Sequence, residues 1–144
     1  MKKGYTLVEL VVVIAISIIV LNISFLSIKG LNSLKSYGEL QYASDSVIQF
    51  INGAKSFARS EEESVVVRLI NNNTLGLYMH TKQMKVLTLP KEVIVSNITA
   101  KSGYIEVNKS GVTGDACTIS LLSNTGDTKT ITIKVGTAYV SEKE

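Results

Sequence analysis

Glu9 is a carboxylate in a place where a carboxylate is expensive. It stands at the mouth of an apolar run, Leu10 to Ile28, whose only polar residues are Ser17, Asn22, Ser24 and Ser27. The next charge is Lys29. An ionised acid at the centre of a membrane-spanning helix costs about 2.5–3.5 kcal/mol, and less near an end. An unpaired charge in apolar surroundings is costly, whereas one paired in good geometry is tolerable. The chemistry open to Glu9 is therefore charge pairing, and its expected role is a registry device, not a catalyst.

The other reactive side chains build no site. His80 is the sole histidine and Cys117 the sole cysteine, so one chain offers neither a His/Cys metal set nor an internal disulfide. His80 reads as a polar residue at a strand end, and Cys117 as a buried strand cysteine. Glu61-Glu62-Glu63 cluster at the end of a helical pattern and read as a solvated face. Lys82, Lys85, Lys91, Lys101, Lys109, Lys129 and Lys134 are spread without aromatic interleaving. Phosphate binding needs several cations on one face, so DNA is only a weakly supported partner. No phosphate loop, nucleophile elbow or metal-ligand spacing occurs, and the expectation is no enzyme, no metal and no cofactor.

The elements that must position Glu9 follow from the same run. As a helix rising 1.5 Å per residue, Leu10–Ile28 spans roughly 28 Å, close to the hydrocarbon core of about 30 Å. In lipid a continuous helix satisfies its own backbone groups. Lys2 and Lys3 before it set an orientation with the N-terminus inside and the rest of the chain outside. A secretory signal peptide shares this plan, but the apolar core here is long, carries an acid in its first turns, and lacks a small-x-small cleavage site. An ordinary single-span anchor differs from a specialised one only in Gly4 and Glu9. A buried helix of a soluble protein fits neither the length nor the β-branched content.

Beyond Lys29-Gly30 the helical pattern turns amphipathic. Leu31, Leu34, Leu40, Ala43, Val47, Phe50, Ile51, Ala54, Phe57 and Ala58 recur at three- and four-residue spacing, with Ser, Gln, Asn, Lys and Asp between them as the solvent or neighbour face. Gly30, Gly38 and Gly53 each cost about 1 kcal/mol of helix propensity relative to Ala and are candidate bends or close contacts. The spacing predicts one helix from Tyr5 to Arg59 or Ser60. From Ser64 the period becomes two. Strands are expected at Val65–Ile70, Leu75–His80, Met84–Leu89, Val93–Ile98, Tyr104–Val107, Thr118–Leu122, Thr130–Val135 and Ala138–Val140, separated by Gly/Asn/Asp turns and Pro90. The expected fold is α+β: a long N-terminal helix, membrane-spanning in its first half, packed on an antiparallel sheet. The boundaries are 1–4, 5–28, 29–62 and a β-rich head at 63–144. Of 15 basic and 12 acidic side chains, Lys2 and Lys3 precede the apolar run, leaving 13 against 12. The near-neutral remainder gives no reason to expect nucleic-acid affinity.

Gly4-Tyr5-Thr6-Leu7-Val8-Glu9-Leu10 resembles the class III leader junction of type IV pilins and pseudopilins: basic residues, Gly, an aromatic (usually Phe), Thr, Leu, a small or branched apolar residue, Glu, then a span. The likeness is close over residues 2 to about 25, with Tyr5 in place of the commoner Phe. It implies that residues 1–4 are a leader, that a prepilin peptidase recognising Lys2, Lys3 and Gly4 cuts after Gly4, and that the new amine of Tyr5 is N-methylated. Glu9 would then pair with that amine, in its own chain across one helical face or with the amine of a neighbouring subunit. The head resembles, in architecture alone, H-type minor pseudopilins of type II secretion and their FimT-type and competence-pilus relatives. The lone Cys117 departs from the cysteine pair of many Gram-negative major pilins and favours a minor or Gram-positive-type pilin. The resemblance implies other pilins, an inner-membrane assembly platform and the lipid bilayer as partners. The filament's task stays open among secretion, adhesion or motility, and competence. The alternatives are a DNA-binding minor pilin of a competence pilus and an ordinary membrane-anchored exported domain.

Overall fold

The computed structural model describes residues 6–100, 102–135 and 140–143, with side chains described except at 23–29 and 140–143. The chain divides into two compact units, Met1–Lys35 and Ser36–Glu144. One α-helix, α1 (Leu7–Glu61), runs through the division. With no proline before Pro90, nothing in the sequence forces a break. Gly30, Gly38 and Gly53 all stay helical, and each faces open space where a Cβ would stand. None of the three is a close contact among the described residues.

The helix begins and ends on side-chain and backbone caps. Thr6 precedes it and its carbonyl accepts the Leu10 N–H at 3.3 Å. At the other end Glu62 takes a left-handed φ of 56° and the Glu63 N–H donates to the Ala58 carbonyl at 3.2 Å. That six-to-one bond is a Schellman cap, which usually places Gly where Glu62 stands.

In the second unit α1 packs along one stripe. Leu40, Ala43, Val47, Ile51, Ala54 and Ala58 are all buried, at spacings of three and four. Phe50 and Phe57 are partly buried against the same core. Two expectations shift here. Leu31 and Leu34 are exposed, at 65% and 70%, so the buried stripe starts at Leu40. Conversely Lys55, expected on the polar face, is 1% exposed. Its position, one residue after Ala54, lies at the edge of the stripe, where a long aliphatic stem can be covered.

Eight strands follow: β1 (Val65–Asn71), β2 (Thr74–Met79), β3 (Lys82–Thr88), β4 (Val93–Ile98), β5 (Ile105–Val107), β6 (Cys117–Ser123), β7 (Thr128–Ile133) and β8 (Val140–Lys143). The first seven expected strands are present; of the eighth, Ala138 and Tyr139 lie outside the described residues, and β8 begins at its last residue, Val140. They form two antiparallel sheets instead of one, β3-β2-β1-β5 and β4-β6-β7-β8. The partition comes from two crossings. After Pro90 the chain leaves β3; the Leu89 and Val95 N–H groups donate to the Asn73 and Asn72 carbonyls at 2.8 and 2.6 Å. β4 then joins β6, while β5 returns to β1 with Val65 opposite Val107. Val65, Val67, Ile105, Val107, Ile119, Leu121, Ile131 and Ile133 point from both sheets into the core that the helix stripe completes.

β2 is buried along nearly its whole length because its outer face is covered too. Gly76 sits opposite Arg68, and a Cβ there would meet the Tyr78 ring at 2.7 Å and Ile70 at 2.8 Å. The Arg68 guanidinium lies 3.8 Å from the centre of that ring. The glycine makes room for an aromatic and a cation to close the sheet surface.

Candidate assembly site at the helix N-terminus

Thr6 and Glu9 occupy the cap and third positions of α1, and they satisfy each other. The Thr6 N–H donates to Glu9 Oε2 at 2.8 Å and the Thr6 hydroxyl donates to the same oxygen at 3.0 Å. The Glu9 N–H approaches Thr6 Oγ1 at 3.3 Å. This is a capping box, the reciprocal use of a Thr and a Glu three residues apart to meet orphan donors of a helix start. The negative charge also suits the positive end of the helix dipole. Both of these bonds to the carboxylate use Oε2, and among the described residues Oε1 accepts none. An open cavity of about 340 Å³ lies beside the carboxylate, lined by Glu9, Leu10, Val13 and Ile14. The group therefore meets its own helix through one oxygen, beside an open cavity lined by apolar side chains.

The described apolar side chains of that unit have no internal cover. Every large apolar residue among 7–22 is exposed, from 49% at Val12 to 79% at Leu7. The polar exceptions are turned back on the helix. Ser17 Oγ donates to the Val13 carbonyl and Asn22 Nδ2 to the Ile18 carbonyl, both at 2.7 Å. Such i−4 bonds are how polar side chains are carried in an apolar helix. Among the described residues no helix is long and apolar enough to cross a membrane. The described side chains of the apolar run stop at Asn22, and the remainder of the expected span, at 23–28, lies outside them. Lys2, Lys3, Gly4 and Tyr5 also lie outside the described residues, so the expected pairing of Glu9 with the Tyr5 amine has no geometry here.

His80 sits in the β2–β3 turn at a left-handed φ of 54°. Among the described residues no three His, Cys, Asp or Glu side chains group as metal ligands. Cys117 is buried, and burial pushes its thiol up to about 11, with Lys55 lowering it in part and Asp115 raising it further. Lys55 itself is held below the usual lysine range, first by burial and then, in opposite senses, by Cys117 and Arg59. Of the candidate lysines, Lys82 and Lys85 lie on β3, Lys129 on β7, and Lys91, Lys109 and Lys134 in loops, hence on both sheets and not on one element; Lys101 lies outside the described residues. Lys129 bonds Gln41 and lies 5.9 Å from the centre of the Tyr37 ring.

The sequence reading missed Thr6, although Thr-x-x-Glu before an apolar run is a legible capping signature. It also missed a polar latch. Ser36 Oγ meets Asn124 Oδ1 at 3.1 Å and Thr125 Oγ1 at 3.0 Å, fixing the β6–β7 turn to the helix.

The family model for the prokaryotic N-terminal methylation motif matches residues 1–21, the segment that contains the capping box. The fold has solved counterparts. The type IV minor pilin FimU of Pseudomonas aeruginosa aligns at a TM-score of 0.62 and 11% identity, over 77% of this chain and 92% of that one. The minor pseudopilin EpsH of the Vibrio cholerae type 2 secretion system aligns at 0.57 and 13%, over 73% and 96%. The chain thus carries the N-terminal methylation motif and has the α+β fold of these minor pilins. No curated protein matches its sequence.

Proposed function

We propose that the chain is a minor pilin or pseudopilin, held in the cytoplasmic membrane as a precursor and then drawn into a helical filament. The observation that carries this is Glu9: a carboxylate with one oxygen unclaimed among the described residues, at the start of a helical segment, 7–22, whose large apolar residues are all exposed. Two environments cover such a helix, lipid and other helices of its kind. The precursor uses the first and the filament the second. Cleavage after Gly4 by a prepilin peptidase exposes a cationic amine on Tyr5, which is then N-methylated. Lys2 and Lys3 keep that end on the cytoplasmic side and the head outside. In the filament Glu9 pairs with the amine of a neighbouring subunit, and that pair rewards only the correct stagger. Prepilin peptidase, sibling pilins and an inner-membrane assembly platform are the partners this requires.

The test is processing. Replacing Gly4 with Leu should leave uncleaved precursor in the membrane, seen as a slower-migrating band and an intact N-terminus by mass spectrometry. Cleavage at the wild-type rate would contradict the leader assignment.

A further inference from the structure

Asn22 is the one described side chain of the apolar stretch whose donors its own helix does not exhaust. Ser17 has a single hydroxyl hydrogen and gives it to the Val13 carbonyl. Asn22 has two amide hydrogens and gives one of them to the Ile18 carbonyl. Its second amide hydrogen and its Oδ1 have no partner among the described residues. An amide brings two donors and an acceptor, so more than half of its capacity is open.

Depth makes that residue costly in lipid. The apolar run is centred on residue 19, and three residues at 1.5 Å place Asn22 within about 5 Å of its middle. Neither head groups nor water reach there, and acyl chains offer no hydrogen bond. The helix faces matter as well. At 100° per residue Asn22 and Glu9 lie about 140° apart around α1, so they address different neighbours. Ala15, seven residues before Asn22, shares its stripe and is the small side chain that lets another helix approach closely there.

We propose that Asn22 is a second registry contact, hydrogen-bonding through its amide to the apolar N-terminal helix of a neighbouring pilin-type subunit on a face other than that of Glu9. The inference rests on the filament reading and adds to it. A single polar residue in an apolar helix seam specifies register because every misaligned stagger leaves it unpaired. Glu9 and Asn22 then constrain the stagger at two levels and toward two neighbours.

The experiment uses the full chain in a cell that assembles it, comparing the processed chain in the membrane with that recovered in sheared filaments. Asn22→Leu makes the span more apolar and favours both insertion and helix, so a loss cannot come from failure to fold. Insertion and cleavage should match wild type while filament incorporation falls by about 3- to 20-fold, the range of interhelical hydrogen bonds in membranes. Asn22→Gln, which keeps an amide, should recover part of it. Incorporation of Asn22→Leu at or above the wild-type level overturns the proposal. If Glu9→Gln is defective while Asn22→Leu is normal, the filament reading stands and the Asn22 contact falls. A wild-type chain that is neither cleaved nor incorporated overturns both.

Discussion

At Glu9 the two carboxylate oxygens have different work. Oε2 accepts both the backbone and the hydroxyl bond of Thr6, while Oε1 has no partner among the described residues. Cap and charge are thus separable functions of one side chain, because glutamine serves in a capping box as well as glutamate does. Cys117 is a second residue with a legible consequence. Its thiol is raised from 9.0 to about 11, so the folded chain keeps a proton that the unfolded chain loses. The thiol's contribution to stability is present in full below pH 9 and is lost as pH rises through 11. Lys55 acts in the opposite sense, since its lowered value makes discharge of the amine favour the fold. The two are separated by difference. Between pH 8 and pH 11 the melting temperature of wild type should fall relative to that of Cys117→Ala, and a constant difference across that range would contradict the assignment.

Among elements, the helix end and the loop that meets it carry the clearest prediction. Asn108 Oδ1 accepts the Ser110 and Val112 N–H groups, both at 3.0 Å, and shapes a tight loop. The loop holds Gly111 at φ 72°, where a Cβ would strike the Arg59 side chain and the Lys55 carbonyl. Gly111→Ala combines a left-handed backbone with a close approach to helix backbone. It should destabilise the head by about 1–3 kcal/mol, as measured by urea unfolding, with the slope unchanged. A change within about 0.5 kcal/mol would show that the loop moves aside freely. Such a loop was not readable in advance, since Ser110-Gly111 looks like any turn. The strands were readable, because Val65, Val67, Ile119, Leu121, Ile131 and Ile133 alternate with polar neighbours. Their division into two sheets was not: the pairing of Val65 with Val107 joins residues far apart in sequence, and alternation carries no partner information. Lys55 was misplaced for a related reason. Helical spacing gives a face, but whether its edge is covered depends on what packs beside it.

The whole molecule combines a conventional core with a helix that has none of its own. In the unit Ser36–Glu144 the helix stripe and both sheets enclose one apolar cluster. In the unit Met1–Lys35 no described apolar side chain is covered by the chain itself. The uncharged apolar run that follows Glu9 made this exposed segment legible from sequence. The head gave a fold and no task, because its lone histidine, lone cysteine and scattered lysines converge on nothing. The central claim, that the charge of Glu9 and not its cap sets register in a filament, is tested most directly by Glu9→Gln. That variant keeps the bond to Thr6 and removes the charge. Measured as the fraction of processed chain found in sheared filaments, incorporation should fall at least ~10-fold, consistent with breaking a buried ion pair, while membrane insertion and cleavage stay at wild-type levels. Wild-type incorporation of Glu9→Gln would contradict the account and reduce Glu9 to a helix cap.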